Sequence, residues 1–363
     1  MKLPTALLPT GRWLRIAWLS DLHVAAEDKR VPGSFNILQR YAGKFMRFEG
    51  TPLTQHFQLR NLSTILNRIE ILRPGHILVT GDLTNYAQEG QFRSVHDQFL
   101  SVQTRLERSD GALNPELWTI LPGNHDVTEE GATKDPIRPK LGMFFRWFYK
   151  AYDLNAPSES YNTAFPLIRK KLSGENGEIS VRLIALDTTV NAPVWRVGVN
   201  ARGRIDKMQM ERLTRELGAN QPTDITLIAM HHHPIVVPKL NSELEDYFLS
   251  LEDASGRELI KLCVNTSVSA ILHGHFHYYS SWSGLTPHGS HMAIIGSPAG
   301  TVQIAGINEE FLELREADRE TTVGVEEGLA VYNHRHSGDG RWGMNFTGIF
   351  LPCRPEPIEN TTA

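Results

Sequence analysis

The sequence predicts an α/β fold, on three observations. Short apolar runs rich in β-branched residues recur along the 363 residues, and runs of that length read as strands buried on both faces. Between them lie stretches with apolar residues at spacings of three and four, the helical period. Nearly every run ends in a polar cluster, and the carboxyl ends of strands are where open α/β sheets bind ligands. Strands alternating with helices place the chain in the α/β class.

The first strand is "LRIAWLSDLH" (14–23). Residues 24–56 are long for a loop and mix basic and aromatic residues, so they read as an insertion. Leu59, Leu62, Leu66, Ile69 and Leu72 form one apolar face over 59–72, and Pro74-Gly75 stops that helix. "HILVTGD" (76–82) is the second strand, a helix lies around 88–106, and "LWTILPGNHD" (117–126) is the third strand. A second insertion, 127–165, contains the aromatic-dense "KLGMFFRWFYKAY". "VRLIALD" (181–187) is followed by a helix at 206–217 with Leu213 and Leu217 on one face. "ITLIAMHHHP" (225–234), a helix at 255–263, "SAILHGHFH" (269–277) and "HMAIIGS" (291–297) continue the alternation. The acidic run from Glu309 to Glu327 reads as a solvated face. "GLAVYNH" and "WGMNFTGIFLP" read as closing strands of the same domain, with no internal repeat or low-complexity tract in the chain.

Composition excludes several classes. Hydrophobic residues at 40% and charged residues at 21% are ordinary for a soluble enzyme. A net charge of -4 gives no strong nucleic-acid signal. Cys263 and Cys353 have no metal-type spacing and read as buried or free thiols of a reducing compartment. The N-terminal apolar run is short and broken by two prolines, so no secretory signal is expected. No stretch approaches the ~20 apolar residues of a membrane span. The expected location is cytoplasmic.

The strand-end residues carry the chemistry: Asp21 and His23; Asp82; Asn124, His125 and Asp126; His231 to His233; His273, His275 and His277. Carboxylate, amide and imidazole without thiolate suit Mn, Fe or Zn. With Asp82 as a bridge, two ions could sit ~3.5–4 Å apart, the geometry of hydrolytic two-metal sites. In an extended strand residues i and i+2 point to one side, so Asp21 with His23, and His275 with His277, could share an ion. The glycines before Asp82, Asn124 and His275 let the backbone turn sharply. Each piece alone is more often a turn, a cap or a hydrogen-bonded histidine. All of them together, each at a strand end, are not readily explained that way.

The ordered set "DLH", "GDL", "GNHD", "HHHP", "GHFH" resembles the calcineurin-like metallophosphoesterase superfamily across residues 21 to 277. The resemblance implies a four-layer αββα sandwich of two mixed β-sheets packed face to face, with flanking helices. It implies one domain over 12–350, insertions at 24–56 and 127–165 as a cap, and a tail at 351–363. Asp21, His23, Asp82 and His277 would hold one metal. Asp82, Asn124, one histidine of "HHHP" and His275 would hold the other. His125 would face the substrate phosphate and serve the leaving oxygen, and Asp126 would orient His125 or brace the loop. A hydroxide between the metals would attack phosphorus in line. The family pattern places the "HHHP" ligand two residues before the proline, at His232. Strand alternation then sends His231 and His233 to the opposite side, His231 packed structurally and His233 beside the substrate or fixing the turn. Asp187 reads as a support for the ligands or as a turn cap.

Within that superfamily the layout most resembles bacterial class III cyclic-nucleotide phosphodiesterases, on "MHHHP" and on "GRID…QMERLTREL" (203–217). The implied reaction is phosphodiester hydrolysis, with 3′,5′-cyclic nucleotides among the substrates. Alternatives are a hydrolase of lipid or nucleotide-sugar pyrophosphates, with "FFRWFYKAY" as an acyl lid or peripheral membrane contact, and a DNA exonuclease. The bland reading of that aromatic insert is a packed helix or a homodimer face. A ligand-free scaffold is disfavoured because every metal position is chemically competent. The expected partner is a small-molecule phosphoester.

Overall fold

The apolar runs form the centres of two sheets in the structure, a computed structural model. It describes residues 13–24, 59–85, 87–107, 113–127, 141–149, 167–169, 172–174, 177–179, 181–190, 202–219, 225–235, 250–266, 268–275, 280–285, 291–297, 306–316, 329–334 and 342–351. Among these, in chain order, the first half holds β1 (Trp13–Leu19), α1 (Leu59–Leu72), β2 (His76–Val79), α2 (Glu89–Glu107), β3 (Trp118–Ile120), α3 (Asn124–Val127) and α4 (Leu141–Phe148). β4 (Leu167–Arg169), β5 (Leu172–Gly174), β6 (Gly177–Ile179), β7 (Val181–Ala185), α5 (Lys207–Gly218) and β8 (Ile225–Ala229) follow. The last elements are α6 (Asp253–Asn265), β9 (Ala270–His273), β10 (Ser280–Leu285), β11 (His291–Gly296), β12 (Gly306–Glu316), β13 (Leu329–His334) and β14 (Trp342–Leu351).

One sheet runs β13-β14-β12-β1-β2-β3 and the other β10-β11-β9-β8-β7-β4, with β5 and β6 as a separate hairpin. Both sheets are mixed. β1, β2 and β3 pair in parallel, as do β7, β8, β9 and β11, while β4, β10 and β12–β14 join antiparallel.

The period of two along the second sheet shows how the layers stack. Leu183, Ala185, Leu227, Ala229, Ala270, Leu272, Ala293 and Ile295 share one buried cluster with β1–β3, α1, α2 and α4. Their alternates Ile184, Ile228, Ile271 and Ile294 pack with Met210, Leu213 and Leu217 of α5 and Leu259 and Cys263 of α6. One face of the sheet therefore meets the first sheet and the other meets helices, the predicted four-layer arrangement. α2 lies on β3, with Phe99 stacked on Trp118 at 4.6 Å between ring centroids. α5 begins on Asp206, whose carboxylate accepts from the Gln209 amide at 2.7 Å.

The first part of the acidic run is a strand, β12, paired antiparallel with β1 from Trp13↔Arg315 to Trp18↔Glu310. Charge density hid a strand whose backbone pairing sets its place. Over its described residues the aromatic stretch takes the packed-helix reading: Phe144 and Phe145 of α4 are fully buried and Phe148 nearly so, with Phe144 and Phe148 packed against Phe92 of α2. Residues 25–56 of the first insertion, the rest of the second and the tail after 351 lie outside the described residues.

Phe144→Ala removes a fully buried ring and is expected to cost about 3–5 kcal/mol. Urea unfolding read by circular dichroism checks it, and a loss under 1 kcal/mol would return the helix to the surface.

Candidate metal centre

β1, β2 and β3 lead into Asp21–His23, Asp82 and Asn124–Asp126, β8 leads into His231–His233, and β9 ends at His273, two residues before His275. Beyond β1 the parallel pairing continues through the backbone. The Asp21 amide donates to Gly81 carbonyl at 3.0 Å, His23 to Asp82 at 2.8 Å and Val24 to Leu83 at 2.9 Å. It does so through left-handed residues, with φ of 52° at Asp21, 43° at His23 and 51° at Asp82, and His275 matches them at 70°. Such values are uncommon outside glycine. The shared direction of Asp21 and His23 thus comes from left-handed backbone, not from the extended strand that their spacing suggested.

Two glycines let the sheet ends close. Gly81 has φ +98°, and a Cβ there would lie 2.7 Å from His231 Nδ1. A Cβ on Gly274 would lie 1.8 Å from Ser20 Oγ, so only glycine lets the β9 end meet the β1 end. That contact brings the His275 amide to Asp21, donating at 2.9 Å to Oδ2 and 3.2 Å to Oδ1.

Asp82 is the pivot. Its Oδ1 accepts from the His125 amide at 2.9 Å. Its Oδ2, buried, has no hydrogen bond of good geometry among the described residues, with His231 Nε2 at 3.3 Å and His23 Nε2 at 3.5 Å. Burial works to raise its pKa, but the imidazoles of His231, His125 and His23 hold it well below the usual carboxylate range. Burial likewise opposes charge on His231, and the Asp82 and Asp21 carboxylates outweigh it, pushing that imidazole up to about 9. His231 Nδ1 donates to the Thr80 carbonyl at 2.7 Å, and its Nε2 lies 3.1 Å from Asn124 Oδ1.

Potential ligand atoms of Asp21, Asp82, His231 and His275 lie within 4.8 Å of one another, as do those of His23, Asp82 and His125, and those of His231, His232 and His275. Asp82 belongs to two of these groups, the place of a shared ligand. A buried carboxylate oxygen without a donor, ringed by imidazole, carboxylate and amide, fits hard-to-borderline divalent cations.

The predicted residues fall as follows. Asp21, His23, Asp82, Asn124, His125 and His275 converge, and His277 lies outside the described residues. His231, expected to pack structurally, is the histidine facing Asp82 and Asn124. His232 sits against His275 at 4.6 Å between ring centroids, its Nδ1 2.7 Å from Thr188 Oγ1. Burial, then His275 and His231, hold its pKa well below the ordinary value. His233, expected beside substrate or fixing the turn before Pro234, is fully buried, 4.4 Å from the His273 ring, with Nδ1 against the Ile235 carbonyl and amide across that turn. Burial, then His273, lower it to about 2.

Asp126 is the loop brace of its two expected roles. It accepts from the amides of Leu83 at 3.1 Å, Thr84 at 2.9 Å and Gly123 at 3.0 Å, and from the Thr84 hydroxyl at 2.9 Å. Burial and the Asp82 charge push it up to about 7 against those hydrogen bonds. His125 is oriented instead by Asn85, whose carbonyl accepts from Nδ1 at 3.0 Å. Asp187 is a turn cap, accepting from the amide and hydroxyl of Thr189 at 2.8 and 2.6 Å. Sequence reasoning missed Thr80, Thr188 and Asn85, of which Thr80 and Asn85 act through main-chain carbonyls that leave no mark in side-chain spacing. It also missed Tyr149, which accepts from the Ile120 amide at 3.0 Å and donates to the Ile120 carbonyl, fixing β3 just ahead of Asn124.

Two packed sheets with a carboxylate–imidazole cluster at their strand ends define a metal-dependent hydrolase of the α/β class. The chain belongs to the calcineurin-like phosphoesterase family, whose model matches residues 14–279, and is a metal-dependent phosphoesterase. Among solved structures it is similar to a dimetal phosphatase from Danio rerio, at 13% identity, covering 92% of this chain and 98% of that one, with a TM-score of 0.47. A purple acid phosphatase from yellow lupin seeds matches at 16% identity, covering 93% of this chain and 54% of that one, with a TM-score of 0.45. GAP50 of Plasmodium, the anchor in its inner membrane complex, matches at 13% identity, 95% and 90% coverage and a TM-score of 0.43. No curated protein matches the chain significantly.

Two outcomes are expected. Because His231 holds a proton up to about pH 9, a metal must displace it, so apparent affinity should fall about tenfold for each unit below that pH. Competition titrations from pH 6 to 9 check this, and a flat profile would remove His231 from the ligands. Gly274→Ala should hold the strand ends apart and lose metal while circular dichroism stays native. Full metal content in a folded variant would contradict it.

Proposed function

We propose that the chain hydrolyses phosphodiesters, with 3′,5′-cyclic nucleotides as the first substrate class to test. The observation that carries the reading is Asp82, buried between two groups of ligand atoms. The family resemblance would put His23 and Asp21 on one ion, with His277 as the expected fourth ligand. It would put Asn124, His275 and one histidine of the 231–233 run, taken here as His231, on the other, with Asp21 also within reach of the His231 and His275 ligand atoms. Cations held there supply positive charge against phosphoryl oxygens and acidify water toward neutrality.

The chain's own groups do the rest. His125 is half-buried, whereas Asp21, His23, Asp82, Asn124, His231 and His275 are buried, so its ring is the part of the cluster a substrate meets. Its Nδ1–H is spent on Asn85 and its amide is tied to Asp82, so Nε2 is left to hold a proton for the departing oxygen. The preference for diesters rests on the five-block layout and on segment 203–217, whose Asp206 caps α5. Nothing in α4 favours an acyl substrate, since its aromatic face is spent on the core.

Metal-reconstituted protein should cleave bis(p-nitrophenyl) phosphate and cyclic nucleotides faster than p-nitrophenyl phosphate. A larger kcat/KM for the monoester would overturn the diester assignment. His125→Ala should keep its metals and lose roughly 10²–10⁴ in kcat with alkoxide leaving groups, and far less with p-nitrophenolate.

A further inference from the structure

The three histidines at 231–233 differ in what holds the second ring nitrogen. His231 gives Nδ1–H to the Thr80 carbonyl, whereas His233 Nδ1 faces both the carbonyl and the amide of Ile235. A carbonyl only accepts, so His231 keeps a hydrogen on Nδ1 and turns Nε2 to Asn124 and Asp82 as the nitrogen a metal would take once its proton leaves. His232 meets a hydroxyl instead, Thr188 Oγ1 at 2.7 Å from Nδ1. The same hydroxyl accepts from the His232 amide at 3.3 Å.

Thr188 is fully buried, and among the described residues His232 Nδ1 is the acceptor within reach of its proton. Were Nδ1 protonated, the hydroxyl would accept two hydrogens and leave its own buried without an acceptor, which folded proteins avoid. With the hydroxyl donating, every polar hydrogen around it is placed. The proton of His232 then sits on Nε2. That nitrogen is buried with no hydrogen-bond partner among the described residues, on a ring that packs 4.6 Å from the His275 ring and 4.9 Å from the His231 ring between centroids. The ring is also sealed in place: a Cβ on Gly203 would lie 2.4 Å from its Cγ.

We propose that His232 is a fixed hydrogen-bond donor to an anionic oxygen held in the centre, not a metal ligand, and that Thr188 is the positioning residue that sets its tautomer. This moves the role expected at the proline offset from His232 to His231. It rests on the reading of Asp82 as the shared ligand. The acceptor chemistry is a phosphoryl oxygen or an oxygen derived from water, and a neutral donor favours either without adding charge beside bound cations.

The test uses full-length protein labelled with ¹⁵N in its histidine rings, metal-free and zinc-loaded, with the His232 signals identified by their loss in His232→Gln. The expected spectrum shows protonated Nε2 and bare Nδ1 at His232 in both states. His232→Ala should retain both metals. Inhibition by inorganic phosphate should weaken about tenfold, the loss of one hydrogen bond to a charged group. Thr188→Val should weaken it similarly and Thr188→Ser should restore it. If phosphate inhibition holds while the acid limb of the kcat/KM profile moves, the donor stands and its acceptor is the water-derived oxygen. Protonation at Nδ1, or loss of one metal from His232→Ala, overturns the proposal. Retention of both metals by Asp82→Asn would instead overturn the underlying assignment of the centre, while the tautomer of His232 in metal-free protein remains readable on its own.

Discussion

The structure turns on negative charge taken out of water. Asp21, Asp82 and Asp126 are all buried within a few residues of three adjacent strand ends. A buried carboxylate is tolerated only where hydrogen bonds or opposite charge replace its hydration. Asp21 is met by the His275 amide, arriving from the other sheet. Asp126 is met by four donors that bind the loop after β2 to the loop after β3. Asp82 has one amide on Oδ1 and only imidazoles near Oδ2. Asp126, beside the Asp82 charge, is still pushed up to about 7 despite its donors. The imidazoles keep Asp82 charged, with one buried oxygen lacking a hydrogen bond of good geometry among the described residues, which is where a cation fits.

That requirement shapes the backbone as well. Asp21, His23, Asp82 and His275 all sit at left-handed φ, a conformation that costs a non-glycine residue free energy. The pairing of Asp21, His23 and Val24 with Gly81, Asp82 and Leu83 holds them there. The scaffold behind is built to resist movement: Tyr149, just after α4, pins β3, and alternate residues of β7, β8 and β9 interlock with the first sheet. Strain at the site and rigidity beneath it are two sides of one arrangement.

Much of this was legible in the sequence because burial on both faces writes continuous apolar runs, and strand ends gather the polar residues. What was not legible has physical reasons. β12 is charged along its length, so hydropathy could not separate it from a solvated loop, and its pairing with β1 is a long-range fact. The aromatic helix could have faced core or solvent, and only its neighbours on α2 decide. Period two could not choose among the three histidines because β8 ends at Ala229, before the first of them, so extended-strand alternation does not apply to 231–233.

What distinguishes those three is the partner of each ring rather than its position. An imidazole has two nitrogens, and fixing the hydrogen on one fixes the chemistry of the other. Thr80 offers a carbonyl, so His231 turns Nε2 toward Asp82 and Asn124, where a metal would replace its proton. Ile235 offers a carbonyl too, but there the ring faces His273 in the core, away from the centre. Thr188 offers a hydroxyl, which gives the middle ring the opposite polarity. One residue type repeated three times therefore supplies a candidate ligand, a donor and a packing element, because the chain surrounds each copy with a different second atom.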